Sequence, residues 1–497
     1  MKVIQDWLRF WSVHSPKNTA LVDGDSGTSW TYSDFFARAQ AGAAYLESQF
    51  QIRKGDRIVY LGQNDLSVLT LFFAASRLGA ILVPVNYRFS AREVAYVLSN
   101  STPRLFVHDQ EFRKLALESL RQVDGLSAKT LSLSDFARES ASGAKFPEFR
   151  ADETDPAMII YTSGTTGFPK GAMISHQGLF WNSVSTALRL RITQADCAVT
   201  FLPLFHTGGW NVLTTPFLHH GAKIVLTQKF DPDQILKLSQ DYRATLVFGV
   251  PTTMGMMART ANFWNYDLRS VRYAIVGGEP MPIELIKTWH EKQIPIRQGY
   301  GLTEFGPNCF SLNEEDAIRK IGSIGFANAY IDVKVVDENG IALGPGVIGE
   351  LCLRGPACMI GYWQNEKATA ETLQGDWLRT GDLVHFDEEG YFYVAGRKKD
   401  MYKSGGENVY PAEVEQVIGQ LKWVQEVAVI GVPDEKWGEV GKAFVVCEKS
   451  IFDPQGLHEH CSKNLAKFKI PKSFEWIAQL PKSGAGKVLK RELGTSR

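Results

Sequence analysis

Between Gly55 and Asp109 short apolar runs alternate with amphipathic stretches. RIVYLG predicts a buried strand. From Asp65 to Leu78 the positions of Leu66, Val68, Leu71, Phe72 and Ala75 fall on one side of a helix. ILVPV predicts a second strand, residues 91–98 a second helix, and RLFVHD a third strand. Strand, helix and strand in succession predict a parallel sheet with helices on its faces. The rhythm returns in KIVLTQKF, a helix from Pro232, ATLVFGV, a helix around Thr252 to Arg259, and YAIVGGEP. The stretch from Ser127 to Asp155 is rich in Ser, Ala and charge and reads as a surface connection.

Beyond Ile321 the texture changes. VKVVDENGIALGPGVIGELCLRG has apolar runs split by Glu-Asn-Gly and Gly-Pro-Gly, and GYFYVAGRKKDMY continues in that style, so a β-rich subdomain is expected. After Lys399 the order is helix (411–421), strand (424–431), strand (442–447) and helix (454–465), a small α+β unit of domain size. A chain of 497 residues exceeds what one core supports, so at least two domains are expected.

Composition narrows the class. Apolar residues make up 44%, charged residues 22%, and the formal net charge is zero. This suits an ordinary soluble globular chain and lends no support to nucleic-acid or membrane-surface binding. Asp6 and Arg9 interrupt the N-terminal apolar run, so no signal peptide is expected. The longest apolar stretch, residues 71–83, is too short to span a bilayer and contains Arg77. The six cysteines form no CxxC. On a helix His458 and Cys461 share a face but His460 does not, which argues against zinc. Scattered single cysteines suit a reducing cytoplasm.

Six stretches carry candidate chemistry. YTSGTTGFPKG (161–171) follows an apolar run. Gly164 and Gly167 let the backbone turn its amides inward, Thr162, Ser163, Thr165 and Thr166 add hydroxyls, and Lys170 adds a mobile cation, a set suited to polyphosphate. It is not a Walker A loop, since Lys170 is followed by Gly171 rather than Ser or Thr. In QGYGLTEFGP (298–307) Tyr300 could stack on a base, Thr303 touch a phosphate and Glu304 hold Mg²⁺; a turn with a solvated Glu fits as well. In the run 377–400 Asp382, read as lying on a tight turn, suits two ribose hydroxyls, and Arg397 suits a phosphate or a carboxylate; a hairpin with an ion pair is the alternative. KSGGENVYPAEVE (403–415) pairs a glycine turn with a helix start at Pro411, PKSGAGKVLKREL (481–493) presents Lys487, and LPLFHTGGW (202–210) sets His206 among apolar residues. Alone, each of these last three reads as loop, basic tail or core.

Their order and spacing together resemble the adenylate-forming superfamily of acyl-CoA synthetases, peptide-synthetase adenylation domains and luciferases. YTSGTTGFPKG, GGEP, YGLTE, TGD, GRKKDMYKSGGENVYPAEVE and the terminal GK loop follow in the family's order across essentially the whole chain. The resemblance implies a large N-terminal domain (1–396) of two doubly wound α/β subdomains plus a β-rich one, a hinge (397–400) and a small mobile α+β domain (401–497). It implies an ATP-dependent acid–thiol ligase using Mg²⁺ and coenzyme A, passing through an acyl-adenylate and releasing pyrophosphate and AMP.

By motif match the resemblance implies that Thr162, Ser163, Gly164, Thr165, Thr166, Gly167 and Lys170 hold the β and γ phosphates. Gly278, Glu279 and Tyr300 serve adenine, Gly301 also binds ATP, Thr303 contacts the α-phosphate, Glu304 holds Mg²⁺, and Asp382 with Arg397 holds the ribose. Lys487 attends the first half-reaction, Lys399 is the hinge, and His206 the gate between acyl pocket and thiol tunnel. Gly405 and Gly406 line that tunnel, and Trp437, Phe468 and Lys469 are candidates for the CoA nucleotide. The acyl pocket is expected around Gly208, Gly209, Trp210, Asn211 and Phe305, mostly apolar or small. GGENVYPAE, DEKWGE and LFHTGGW look most like fatty-acyl-CoA synthetases, favouring a medium- to long-chain fatty acid. An aromatic acid such as o-succinylbenzoate, or loading of a carrier-protein thiol, are the alternatives. The partners expected are the acid, ATP and CoA, in the cytoplasm, with a homodimer as one option.

Overall fold

In the computed structural model, residues 6–162, 169–279, 281–482 and 488–494 are described. The chain forms two compact units: Met1–Asp332 with Leu353–Leu378, and Val333–Cys352 with Arg379–Arg497.

In the first unit, strands Arg57–Leu61, Ile81–Val85, Leu105–His108 and Lys129–Ser132 lie parallel, as the alternation predicts for the first three. Pro156–Thr162 joins the sheet beside Ile81–Val85, and Lys170–Ser175 returns antiparallel to it. The intervening helix Leu66–Leu78 is capped by the Asp65 side chain and closed by Gly79 at φ 70°, the left-handed stop that glycine adopts freely. All of its residues are buried, not one face alone. It packs against the helices Tyr32–Phe50 and Leu133–Glu139 as well as the strand Ile81–Val85.

Burial all round includes Arg77. Its guanidinium stands over the Phe36 ring, donates to the Phe146 carbonyl at 2.8 and 3.3 Å, and pairs with Asp6. A buried cation is tolerated because its donors are met in this way. The contact ties residues near 146 onto the core, so the stretch 127–155 is more than a surface connection. It contains the strand Lys129–Ser132 and the helix Leu133–Glu139, whose Phe136 is fully buried against the place a Cβ on Gly42 would occupy. A half-exposed strand and a few scattered anchors, Leu131, Leu133, Phe136 and Phe146, leave little periodic signal among so many polar residues.

A second sheet of the same unit runs through Ile296–Leu302, Tyr273–Val276, Leu246–Gly249, Cys197–Thr200 and Lys223–Leu226, all parallel. Thr19–Asp23 extends it beside Lys223–Leu226. The two sheets share one large cluster of buried apolar side chains, which takes in Ile58 and Leu82 of the first and Ile224 and Leu246 of the second, and each has a further cluster of its own.

The second unit holds the β-rich stretch and the α+β end of the chain. Trp377–Phe386 pairs antiparallel with Phe392–Arg397. Glu426–Asp434 pairs along its length with Gly438–Val446, and Ser473–Trp476 adds a parallel edge. The helices Pro411–Ile418 and Pro454–Asn464 cover this sheet, and Cys461 is buried in their shared core. Among the described residues no helix is long and apolar enough to cross a membrane.

Candidate active site

The glycine- and threonine-rich stretch joins two antiparallel strands, with Tyr161 opposite Gly171 and Thr162 opposite Lys170. A P-loop joins a strand to a helix, so this connection is of another kind. Gly171 is required there, because a Cβ would lie 2.6 Å from Ile159 Cγ2 and 3.2 Å from the Tyr161 ring. Thr162 and Lys170 stand at the two mouths of the loop. Ser163, Gly164, Thr165, Thr166 and Gly167 lie outside the described residues, as does Lys487.

Tyr300 and Gly301 sit at the end of Ile296–Leu302, which turns through Thr303 and Glu304 into Gly306–Ser311. A Cβ on Gly301 would fall 2.1 Å from the Pro307 carbonyl, so only glycine fits this hairpin. Tyr300 meets Phe310 edge-on, with ring centroids 5.8 Å apart, and Thr303 is buried. Gln298 stitches the neighbouring loop to this strand. Its amide nitrogen donates to the carbonyls of Val276 and Glu279, and its oxygen accepts from Met281 N. Gly278 in that loop has φ 88°.

Glu304 is half-buried and gathers several elements. The Tyr362 hydroxyl donates to its Oε1 at 2.9 Å, and the Thr162 hydroxyl reaches the same oxygen at 3.4 Å. The Glu304 carbonyl accepts from Met359 N at 2.8 Å. Lys170 extends its ammonium over the Tyr362 ring, 5.3 Å from the centroid. The phosphate-loop lysine and the expected metal-binding carboxylate are thus brought to one tyrosine. Sequence reasoning missed Tyr362; its only trace is the GYW that follows the β-rich run.

His206 starts a tight turn and accepts from Gly208 N at Nδ1, 3.2 Å away. The chain then forms a wide π-helical turn over Gly208–Val212. Gly208 and Gly209 border a narrow cavity of about 10 Å³ with Val199, Leu202, Leu213 and Phe248 among its walls, and no charged side chain lines it. Trp210, Asn211 and Phe305, expected on the acyl pocket, do not line this cavity. Trp210 is fully buried against Phe72, its indole N–H given to the Leu204 carbonyl. Asn211 is consumed by Thr207 and Thr215, and Phe305 is buried beside Gly355. An indole buried at the wide turn satisfies its N–H best on nearby backbone, which turns it inward.

In the second unit Asp382 and Arg397 face each other across paired strands, with Arg397 Nε 2.8 Å from Asp382 Oδ1. Asp382 is therefore buried within a ten-residue strand rather than on a tight turn. Gly381 beside it takes φ 70°, which supplies the local bend the sequence suggested. Lys399 lies exposed in the turn that follows Arg397. Gly405 (φ 62°) and Gly406 (φ 88°) make the hairpin between Tyr402–Ser404 and Glu407–Val409. Gly405 N donates to the Trp437 carbonyl at 2.8 Å, and a Cβ on Gly405 would press the indole at 2.9 Å. Trp437 is 40% exposed, with Lys436 over its ring. Phe468 is half-buried in the core of this unit, and Lys469 is bound by both oxygens of Glu413 at 2.6 and 2.8 Å.

Comparison with known proteins identifies the family. Residues 8–363 match the model of the AMP-binding enzyme family, and residues 413–487 that of the AMP-binding enzyme C-terminal domain. The chain is 37% identical over 480 residues to a feruloyl-CoA synthase of Amycolatopsis, covering 96% of each. It is 35% identical over 498 residues to the long-chain-fatty-acid–CoA ligase FadD13 of Mycobacterium tuberculosis, covering 99% of this chain and 98% of the other. The o-succinylbenzoate CoA synthetase MenE of Bacillus subtilis, solved with its acyl-adenylate, superposes with a TM-score of 0.91 at 31% identity over 99% of both chains. The chain belongs to the AMP-binding enzyme family and is an adenylate-forming acyl-CoA synthetase, an acid–thiol ligase that uses ATP, Mg²⁺ and coenzyme A.

Proposed function

We propose that the acid activated by this enzyme is an apolar monocarboxylic acid. The observation that carries this is the cavity beside His206, which has no charged side chain to meet a second carboxylate. The leading substrate class is a medium- to long-chain fatty acid, in line with the likeness to a fatty-acid ligase. A second reading, a compact aromatic acid, draws support from the Phe248 ring on the cavity wall, which can pack against an aryl group. The likeness to a feruloyl-CoA synthase points the same way.

In the first half-reaction a carboxylate oxygen attacks the α-phosphorus of ATP, the bond to pyrophosphate breaks, and an acyl-adenylate forms. In the second the thiol attacks the acyl carbonyl and AMP departs. Charge gathers on phosphate oxygens in both, so catalysis rests on positioning and on fixed donors and cations. In our reading Thr162 to Lys170 grip the departing pyrophosphate, Tyr300 and the loop at Gly278 and Glu279 hold adenine, and Thr303 holds the α-phosphate. Asp382 and Arg397 orient the ribose, and Lys487 bonds the reacting carboxylate.

Glu304 suits Mg²⁺. Among the described residues both donors to its carboxylate go to Oε1, and Oε2 is left as a hard oxygen ligand. Mg²⁺, when bound, neutralises phosphate charge. Residues 1–396 and 401–497 act as the two working domains, with Lys399 at the hinge between half-reactions. Gly405, Gly406, Trp437, Phe468 and Lys469 serve CoA, and the site of action is the cytoplasm.

The test is a panel of linear, aryl and dicarboxylic acids assayed for acid-dependent pyrophosphate release. A dicarboxylic acid as best substrate would overturn the reading. A ranking that favours long linear chains supports the fatty-acid class, and one that favours aryl acids the second.

A further inference from the structure

Tyr362 lies where two opposite charges would otherwise meet. It belongs to the short strand Gly361–Tyr362, which pairs antiparallel with the strand carrying Lys170, Tyr362 opposite Ala172. Ile360 N and Trp363 N donate to the carbonyls of Met173 and Gly171, and Met359 N donates to the carbonyl of Glu304. The segment 359–363 is therefore fastened by backbone to both the exit of the phosphate loop and the Glu304 turn. The side chain, buried to 8% exposure, repeats that bridge. Its hydroxyl holds Glu304 Oε1 at 2.9 Å and its ring face carries the Lys170 ammonium. Lys170 and Glu304 make no ion pair with each other, although both attend the same tyrosine.

A phenol suits this place for two separate reasons. Its ring face attracts a cation without quenching the charge. Its O–H fixes one carboxylate oxygen and makes no demand on the other. The ammonium stays available to an anion and the carboxylate to a cation.

We propose that Tyr362 is a positioning residue for the adenylation step: it holds Glu304 in the orientation that receives Mg²⁺ and holds Lys170 apart from it for the phosphates. This deepens the reading of Glu304 and Lys170 given above and rests on it. Removing an outer partner of a metal-binding group commonly lowers metal affinity about 10–100-fold. Tyr362→Phe keeps the ring and loses the hydroxyl. Tyr362→Leu loses both.

The experiment measures ATP binding by calorimetry on the full chain without acid, so that no adenylate forms, across a Mg²⁺ titration and in EDTA. Circular dichroism confirms the fold of each variant. Tyr362→Phe is expected to raise the Mg²⁺ concentration for half-maximal tightening about tenfold while leaving ATP affinity in EDTA unchanged. Tyr362→Leu is expected to weaken ATP binding in EDTA as well, because Lys170 loses its support. Glu304→Gln separates the two layers of the argument. If Glu304→Gln shifts the Mg²⁺ dependence and Tyr362→Phe does not, the role of Tyr362 is refuted and Glu304 keeps its own. If neither shifts it, the assignment of Glu304 fails and the inference falls with it. Should Tyr362→Phe weaken binding equally with and without Mg²⁺, the tyrosine acts on packing alone and the proposal is wrong.

Discussion

Gly208 and Gly209 are neighbours, yet the structure places opposite demands on them. A Cβ on Gly208 would stand 3.3 Å from His206 Nδ1, 3.6 Å from Phe248 Cε1 and 3.9 Å from Leu202 Cδ1, at the edge of the cavity. A Cβ on Gly209 would fall 2.3 Å from the Pro203 carbonyl oxygen and 2.7 Å from that of Leu202. The first contacts are ordinary or nearly so, and the second cannot be relieved by turning a side chain. Gly208→Val should therefore fold and carry its methyls toward Phe248 and Leu202, narrowing the proposed acid pocket there. Each methylene of substrate displaced from an apolar pocket is worth about 1–3 kcal/mol, or roughly 10–200-fold in kcat/KM. We expect kcat/KM for the longest accepted acid to fall by about two orders of magnitude, and that for the shortest to change little. Gly209→Ala should instead overpack the turn, at a cost of about 1–3 kcal/mol. That loss appears as a lower urea midpoint and as a parallel fall in rate for every acid. Pyrophosphate-release kinetics over a homologous series of acids, with a denaturation curve for each variant, reads both effects. A parallel loss for all acids in Gly208→Val, or wild-type stability in Gly209→Ala, would refute this account of the turn.

Three further outcomes follow from the same structure. Arg397→Ala leaves the buried Asp382 carboxylate without its cross-strand partner; a lost bond to a charged group is worth about 1.5 kcal/mol, so the KM for ATP should rise roughly tenfold, with KM for acid unchanged. Burial lowers the pKa of His176 from 6.5 to about 4, with Asp155 opposing and Lys54 adding to the shift. The unfolded chain therefore binds a proton in that window that the folded chain refuses. Stability is full above the upper value and falls by about 3 kcal/mol as pH drops through the window; His176→Gln should flatten that slope in urea titrations. Lys487→Ala should abolish adenylate formation yet largely spare thioester formation from synthetic acyl-AMP, and equal loss in both assays would contradict its assignment.

Much of the architecture was legible because it repeats a strong signal. Apolar runs such as RIVYLG and ILVPV have the length and β-branched content of parallel strands, and Asp65 and Gly79 punctuate the helix between them. Arg77 shows the limit of that signal. It reads as a break in an apolar run, but its charge is met by a backbone carbonyl 69 residues away in sequence and by Asp6, neither of which a local pattern reveals. The strand Lys129–Ser132 was hidden for a related reason, since two of its four residues face solvent and its partner strand supplies the apolar face.

The candidate site was legible as residue types in order rather than as geometry. Thr162, Lys170, Glu304, Asp382 and Arg397 were read from motifs, whereas the inward turn of Trp210 and the bridging by Tyr362 depend on tertiary packing. Gly301 and Gly405 show the two meeting. Their sequence places them in glycine-rich turns, and the structure supplies the cause, a carbonyl of Pro307 and the indole of Trp437 where a side chain would go.

The central claim is that this chain couples an apolar acid to CoA through an adenylate. Its most direct test is the product stoichiometry of purified enzyme with ATP, Mg²⁺, CoA and the best acid of the panel. The account predicts AMP, pyrophosphate and acyl-CoA in equal amounts, and acyl-AMP in place of the thioester when CoA is withheld. Formation of ADP and phosphate, or of thioester with no adenylate trapped in the absence of CoA, would contradict it.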